Sequence, residues 1–300
     1  MEQESIKQSG SFKIADKLKD YMLLIKFNLS FMVVFSAVIS YLLAPLVTVY
    51  DWKAIILLFV GGMLVTGSAN AINQAMEKNT DALMKRTAAR PVAAGRMTVA
   101  EAMSFAVICG LTGVMLLWHF NFLTALLSVF SLFFYAFIYT PLKKVSSLAV
   151  IAGAIPGAMP CLIGWAAGND SLSAGGWILF ALQFFWQFPH FWAIAWIAHK
   201  DYTAAGFKLL PSGEGQTKYS ALQAVIYSLL LLPVGFLPYF NGMSGSISLI
   251  VVLIANFFMI AQCVRLYRGM SVQAARRVMF GSYIYLPVVL LALLLDKVAH

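Results

Sequence analysis

Apolar residues along this chain come in long blocks separated by short polar connections. The blocks fall at 24–44, 54–76, 98–118, 122–140, 147–167, 174–197, 219–240, 245–264 and 278–296. Each holds about 20 residues, enough for a helix to cross a hydrocarbon core of about 30 Å. Only helices and closed barrels satisfy the backbone in lipid. The pattern therefore predicts an all-α, polytopic membrane helix bundle of about nine transmembrane helices. Gly153, Pro156, Gly157 and Pro160 inside one span predict a kinked, closely packed helix. The segment 10–23 is amphipathic and suits the membrane interface. Residues 1–23 thus read as a cytoplasmic N-terminal segment and 24–300 as a single transmembrane domain, with no linker and no low-complexity tract.

Composition agrees. The chain is 61% hydrophobic and 11% charged, whereas soluble domains carry about 25% charged residues. Its net charge of +9 would suggest nucleic acid in a soluble protein. Here the charges sit in short loops, where they act as topology signals and anion contacts, so no nucleic-acid partner is expected. All of the 21 Lys and Arg residues except Lys53 and Lys297 fall at the N-terminal end or in the second, fourth, sixth and eighth loops. That alternation places the N-terminus in the cytoplasm and, over nine spans, the C-terminus outside. Cys109, Cys161 and Cys263 lie in separate apolar blocks, which argues against a disulfide frame or a zinc site. The first 20 residues lack a secretory-signal pattern.

The strongest chemical signal leaves the second span: Asn70-Ala-Ile-Asn73-Gln-Ala-Met-Glu77-Lys-Asn-Thr-Asp81, continuing to Lys85-Arg86 and Arg90-Pro91. Asn73, Glu77 and Asp81 are four apart, so on a helix they share one face. Two carboxylates and an amide make a hard-oxygen set suited to Mg²⁺ that phosphate oxygens and water complete. Arg86 and Arg90 follow, and Arg forms bidentate contacts with phosphate. Pro91 predicts that the helix ends at Arg90. An ordinary interfacial helix end with solvated ion pairs is the plainer alternative. It leaves unexplained why the polar stripe starts at Asn70 and Asn73, inside the apolar span.

A second cluster ends the sixth span. Gln187 and His190 are three apart within an apolar helix, and Asp201 falls on the same face if that helix continues for three turns. Polar groups at membrane depth are functional candidates. The alternative is that Gln187 and His190 bond neighbouring helices and that Trp186, Trp192 and Trp196 form an interfacial belt. Lys143 and Lys144 after Tyr139-Thr140-Pro141 add positive charge near the first cluster, and Lys26 is placed to snorkel at the start of the first span.

These residues resemble the UbiA superfamily of intramembrane prenyltransferases, and within it the protohaem IX farnesyltransferase branch. The resemblance rests on Asn73-x₃-Glu77-x₃-Asp81-x₂-Met84-x-Arg86-Thr87-x₂-Arg90-Pro91, Ile155-Pro-Gly-Ala-Met-Pro160 with Ile163-Gly-Trp165, Trp186-Gln-x-Pro189-His190-Phe-Trp192, and Asp201-Tyr202-x₃-Gly206-x₂-Leu-Leu-Pro211. Two positions depart from it: Lys26-Phe27-Asn28 stands where the family has Lys-Pro-Arg, and Cys161 where a second proline is common. The resemblance implies a central cavity open toward the cytoplasmic side of the inner membrane. It implies that farnesyl diphosphate and haem b react, with addition of water, to haem O and diphosphate. In that scheme Asn73, Glu77, Asp81 and Asp201 hold Mg²⁺. Arg86, Arg90 and Lys143 bind the diphosphate, Gln187 belongs to the substrate site, and His190 orients the haem, touches its iron or supports the metal site. A haem A synthase or an oxidase assembly factor is the candidate protein partner. The competing readings are a UbiA-type enzyme for a quinone or phenolic precursor, and a transporter or channel. The last predicts polar groups through both leaflets, whereas here they crowd toward one side.

Overall fold

In a chain this apolar, backbone satisfaction dictates helices, and capping residues decide where each begins. The computed structural model describes residues 14–298. Lys7, Lys13 and the 10–13 start of the amphipathic segment lie outside the described residues. The helices are α1 (Ile14–Leu24), α2 (Phe27–Leu43), α3 (Trp52–Met76), α4 (Lys78–Asp81), α5 (Val99–Trp118), α6 (Phe122–Phe133), α7 (Thr140–Val145), α8 (Ala149–Asn169), α9 (Ala174–Ile197), α10 (His199–Ala204), α11 (Lys218–Phe240), α12 (Ser246–Gly269) and α13 (Val272–Leu295). A π-helical segment, Phe134–Tyr139, joins α6 to α7 in one apolar span.

Among the described residues eight stretches are long and apolar enough to cross a membrane, and the bent pair α1–α2 supplies a ninth. This is the multi-pass all-α bundle that the hydropathy predicts. Among the described residues no strand forms beyond a lone bridge between Ser244 and Lys297. Asp51, Thr98, Asn121, Thr217 and Ser271 each accept a backbone N–H at a helix start. The cap at Ser271 starts α13 six residues before the apolar block does, so Arg276 and Arg277 ride on its exposed first turns.

Packing brings α3 against α5, α2 against α8, and α9 against α8, α11 and α13. Small residues set the closest approaches, as lipid-embedded helices require. At Gly164 of α8 an added Cβ would lie 1.9 Å from the Ala37 carbonyl oxygen, so the α2 and α8 backbones touch there.

Two features fix the ends of the first span. Between α1 and α2 the chain bends by 51° at Lys26, which sits in the left-handed region at φ 50°. The break leaves carbonyls that α3 satisfies: Gln74 donates to those of Leu23 and Leu24, and Asn70 donates to that of Ile25 and to the Ser30 hydroxyl. At the far end of α2, the Lys297 ammonium donates to the carbonyls of Leu42, Ala44 and Val47 at 2.8–2.9 Å. Burial pushes the Lys297 pKa below the usual lysine value.

Candidate functional site

Where α3 leaves its apolar block, Glu77 departs from helical geometry (φ −95°, ψ 10°) and the one-turn α4 follows. The Glu77 N–H still bonds the Asn73 carbonyl and the Asp81 N–H the Glu77 carbonyl. The four-residue register therefore survives the break. Asn73, Glu77 and Asp81 are all buried and all line one cavity of about 650 Å³.

The cations expected beside them are there, each already engaged. Arg90 Nη1 donates to both oxygens of the Asp81 carboxylate, at 2.8 and 2.7 Å. The Lys143 ammonium lies 2.6 Å from Glu77 Oε1, yet that buried oxygen has no aligned hydrogen bond. Asn73 donates to Glu77 Oε2 at 2.9 Å and to Thr140 Oγ1 at 3.1 Å, and its Oδ1 accepts from Lys26 Nζ at 3.3 Å. Arg86 donates to the Tyr202 hydroxyl at 3.2 Å. Arg86, Arg90 and Lys143 line the cavity with Lys26.

Three expectations change. The helix does not continue to Arg90; it ends at Asp81, and turns fill the stretch up to α5. Thr87 Oγ1 donates to the Asp81 carbonyl, giving the chain a local alternative to the helical ladder. Arg90 thus reaches Asp81 by the chain folding back rather than by helical register. Asp201 does not line the cavity. The helix carrying Gln187 and His190 breaks at Ala198 (φ −93°, ψ 15°), so the three-turn register to Asp201 is lost and Tyr202 faces the cavity instead. Lys26 does not snorkel outward but points into the site.

Gln187 and His190 do line the cavity. Gln187 donates to the Ala154 and Gln183 carbonyls. It also fills the space at Gly157, where a Cβ would meet its Oε1 at 1.9 Å. His190 stacks on Trp186, with centroids 4.9 Å apart and planes 16° apart. Its Nδ1 lies 2.7 Å from Ser282 Oγ, and Ser282 donates its one proton to the Met279 carbonyl. Nδ1 must then be the donor, which leaves Nε2 as an acceptor. Trp192 and Trp196 are core residues, not an interfacial belt.

Sequence reasoning passed over the aromatic part of the site. Tyr135 and Tyr139 sit on the π-helical segment and line the cavity, and Lys143 Nζ lies 4.8 Å from the Tyr139 ring centroid and 5.4 Å from that of Phe207. The spacing Tyr135, Tyr139, Lys143 carried this signal. Among the described residues no three His, Cys, Asp or Glu side chains converge as a protein-only metal cage. Two carboxylates and an amide on one wall, with a carboxylate oxygen short of aligned donors, fit Mg²⁺ whose other ligands are phosphate and water.

The profile of the UbiA prenyltransferase family matches residues 33–286. The chain belongs to the UbiA prenyltransferase family. It is 46% identical over 286 residues to the protoheme IX farnesyltransferase of Cytophaga hutchinsonii, covering 95% of this chain and all of that one. It is 39% identical to the protoheme IX farnesyltransferase of Flavobacterium psychrophilum, over 93% of this chain and 94% of that one. Among solved structures, a digeranylgeranylglyceryl phosphate synthase superposes with a TM-score of 0.77 at 22% identity, over 94% and 98% of the two chains. A UbiA homologue from Archaeoglobus fulgidus bound to GPP and Mg²⁺ superposes at 0.67 with 14% identity, over 91% and 99%. These two share the fold, and the UbiA architecture extends over nearly the whole bundle.

Proposed function

We propose that this UbiA enzyme transfers a farnesyl group from farnesyl diphosphate to a vinyl group of haem b, with addition of water, giving haem O and diphosphate. The observation that carries the reading is the division of one cavity. Its ionic end holds Asn73, Glu77 and Asp81 facing Lys26, Arg90 and Lys143, and its α9–α13 side presents Trp186, His190 and Tyr283. Full-length likeness to proteins named protoheme IX farnesyltransferase supports haem as the acceptor.

Asn73, Glu77 and Asp81 would hold Mg²⁺, and Asp201, which does not line the cavity, stays outside the set. When bound, the ion supplies Lewis-acid neutralisation of the leaving diphosphate. Arg90 and Lys143, which pair with Asp81 and Glu77, exchange those carboxylates for phosphate oxygens. Arg86 and Lys26 flank the same group. Their charge stabilises the departing oxygens as the allylic C–O bond breaks and both electrons leave with diphosphate. Tyr135 and Tyr139 face the developing allylic cation and keep water from it. The vinyl π pair then forms the new C–C bond, and a water oxygen captures the resulting cation and loses a proton. His190 and Trp186 orient the flat acceptor. The enzyme is a single domain over 24–300 in the cytoplasmic membrane, with its N-terminus and ionic end on the cytoplasmic side.

The test supplies purified protein, Mg²⁺ and labelled farnesyl diphosphate with either haem b or 4-hydroxybenzoate. Label in haem O is the expected result. Label only in the phenol would overturn the choice of acceptor.

A further inference from the structure

The turn between α12 and α13 gathers arginines that the cavity does not use. Two residues, Met270 and Ser271, join these 24-residue helices, so the last turns of one lie beside the first turns of the other. Arg265, Arg268, Ser271, Gln273 and Arg277 line a concavity of about 400 Å³ there, and it shares no residue with the large cavity. Arg276 adds a further exposed guanidinium beside it. The α13 dipole adds partial positive charge at the same end.

These charges are uncompensated. From Ser246 to Leu295 the sequence holds no Asp or Glu. Among the described residues, Arg90 pairs with Asp81, Arg96 pairs with Asp20, and Arg86 bonds Tyr202. The same residues form no ion pair with Arg265, Arg268, Arg276 or Arg277. Arg265 Nη1 donates to the Oε1 of buried Gln262 at 3.3 Å, which steadies its guanidinium at the rim. Membrane topology asks only for positive charge, and Lys200, Lys208 and Lys218 of the sixth loop supply it as lysine. Arginines around a concavity are a phosphate-binding set, because the guanidinium fork meets phosphate oxygens bidentately.

What lies beneath the arginines decides the kind of phosphate. On α12, Ala261, Phe258 and Ile254 continue the exposed face of Arg265, and on α13 Phe280 and Ile284 continue that of Arg277, at helical spacings of three and four. The two stripes border one seam. Gly281 of α13 has no side chain, and a Cβ there would lie 2.9 Å from the Phe258 ring. From Arg277 to Ile284 the stripe descends about 10 Å, within the hydrocarbon of one leaflet. An anion site thus stands directly over an apolar track. A free phosphate would use only the first of these.

We propose that the α12–α13 turn binds the headgroup of an acidic glycerophospholipid, with its acyl chains lying on Phe258, Phe280 and Ile284. Basic pockets between transmembrane helices take such headgroups in other membrane proteins. The site is separate from the reaction in the cavity and does not depend on it.

Native mass spectrometry of the full-length protein in detergent, with dioleoyl-phosphatidylglycerol or dioleoyl-phosphatidylcholine added, reads the ratio of lipid-bound to lipid-free protein. Wild type should prefer phosphatidylglycerol at least about fivefold, the worth of one arginine at a charged membrane surface. Arg265→Gln with Arg268→Gln and Arg277→Gln should remove most of that preference. Replacing the same three by Lys keeps the charge that insertion needs and should still halve the preference, because the forks are lost. Lys85→Gln with Lys200→Gln and Lys208→Gln removes equal charge from the same side and should bind as wild type does. An excess of sn-glycerol 3-phosphate, a headgroup without chains, should not displace the lipid. The proposal is overturned by equal binding of the two lipids to wild type, or by a wild-type preference in either arginine variant. Equal loss in the lysine-to-glutamine variant would mark a net-charge effect and overturn it as well. Displacement by sn-glycerol 3-phosphate would reassign the concavity to a soluble phosphate and end the lipid reading.

Discussion

Asp81 is fully buried and accepts two hydrogen bonds from Arg90, itself largely covered. Removing one partner of such a pair leaves a charge stranded in low dielectric, which costs about 3–5 kcal/mol. Arg90→Ala should therefore lower the melting temperature of the ligand-free protein in detergent as well as weaken diphosphate binding. Mg²⁺ with pyrophosphate should recover part of the lost stability, because the Asp81 carboxylate would then face an ion in place of the guanidinium. A melting temperature equal to wild type would falsify the pairing. Asp81→Ala removes an oxygen of the proposed metal site and should abolish haem O formation while membrane insertion persists. Normal product yield from that variant dismisses the metal role. His190→Ala should reduce turnover with haem b while the affinity for pyrophosphate holds, and near-normal turnover demotes His190 to packing. Asn73, Glu77 and Asp81 were legible because a period of four survives any helix. Lys26 was not. A lysine at the start of a span looks the same whether it snorkels or turns inward, and its direction is fixed by a left-handed residue that α3 side chains hold in place.

At the scale of the element, hydropathy located the nine spans because block length is all that a bilayer demands. It could not locate the breaks within them. Glu77 and Ala198 adopt nearly the same off-helix conformation. At Glu77 the flanking hydrogen bonds keep Asp81 on the cavity wall, whereas after Ala198 the wall position falls to Tyr202. A single residue leaving the helix is invisible to a pattern that averages over twenty. The π-helical segment belongs to the same class: it changes which residues of one apolar run face inward, and such segments recur at functional sites. Close helix crossings were legible only as a richness in small residues, without their partners. Gly164→Ala tests the crossing of α2 and α8, where the added methyl meets the Ala37 carbonyl at 1.9 Å. Backbone must move, and overpacking of this kind costs about 1–3 kcal/mol. Thermal unfolding in detergent should show the loss, with pyrophosphate affinity retained. An unchanged melting temperature means the crossing is looser than the geometry requires.

Across the whole molecule, charge and cavity depth point the same way. The ionic end of the cavity lies at the α3–α4 junction, and Lys53 sits at the other end of α3. Lys85, in the turns after α4, and Lys53 therefore flank one span and must face opposite sides of the bilayer. The distribution of Lys and Arg predicts Lys85 on the cytoplasmic side, where the proposed diphosphate substrate and Mg²⁺ would be available. Both side chains are exposed, and all three native cysteines are buried. Lys53→Cys and Lys85→Cys thus provide single reporters over a low background. A membrane-impermeant maleimide applied to intact spheroplasts should label Lys53→Cys at once and Lys85→Cys only after permeabilisation. The reverse order would leave the fold untouched. It would place the ionic end on the outer side, where a polar, charged donor made in the cytoplasm cannot reach it without crossing the hydrocarbon core.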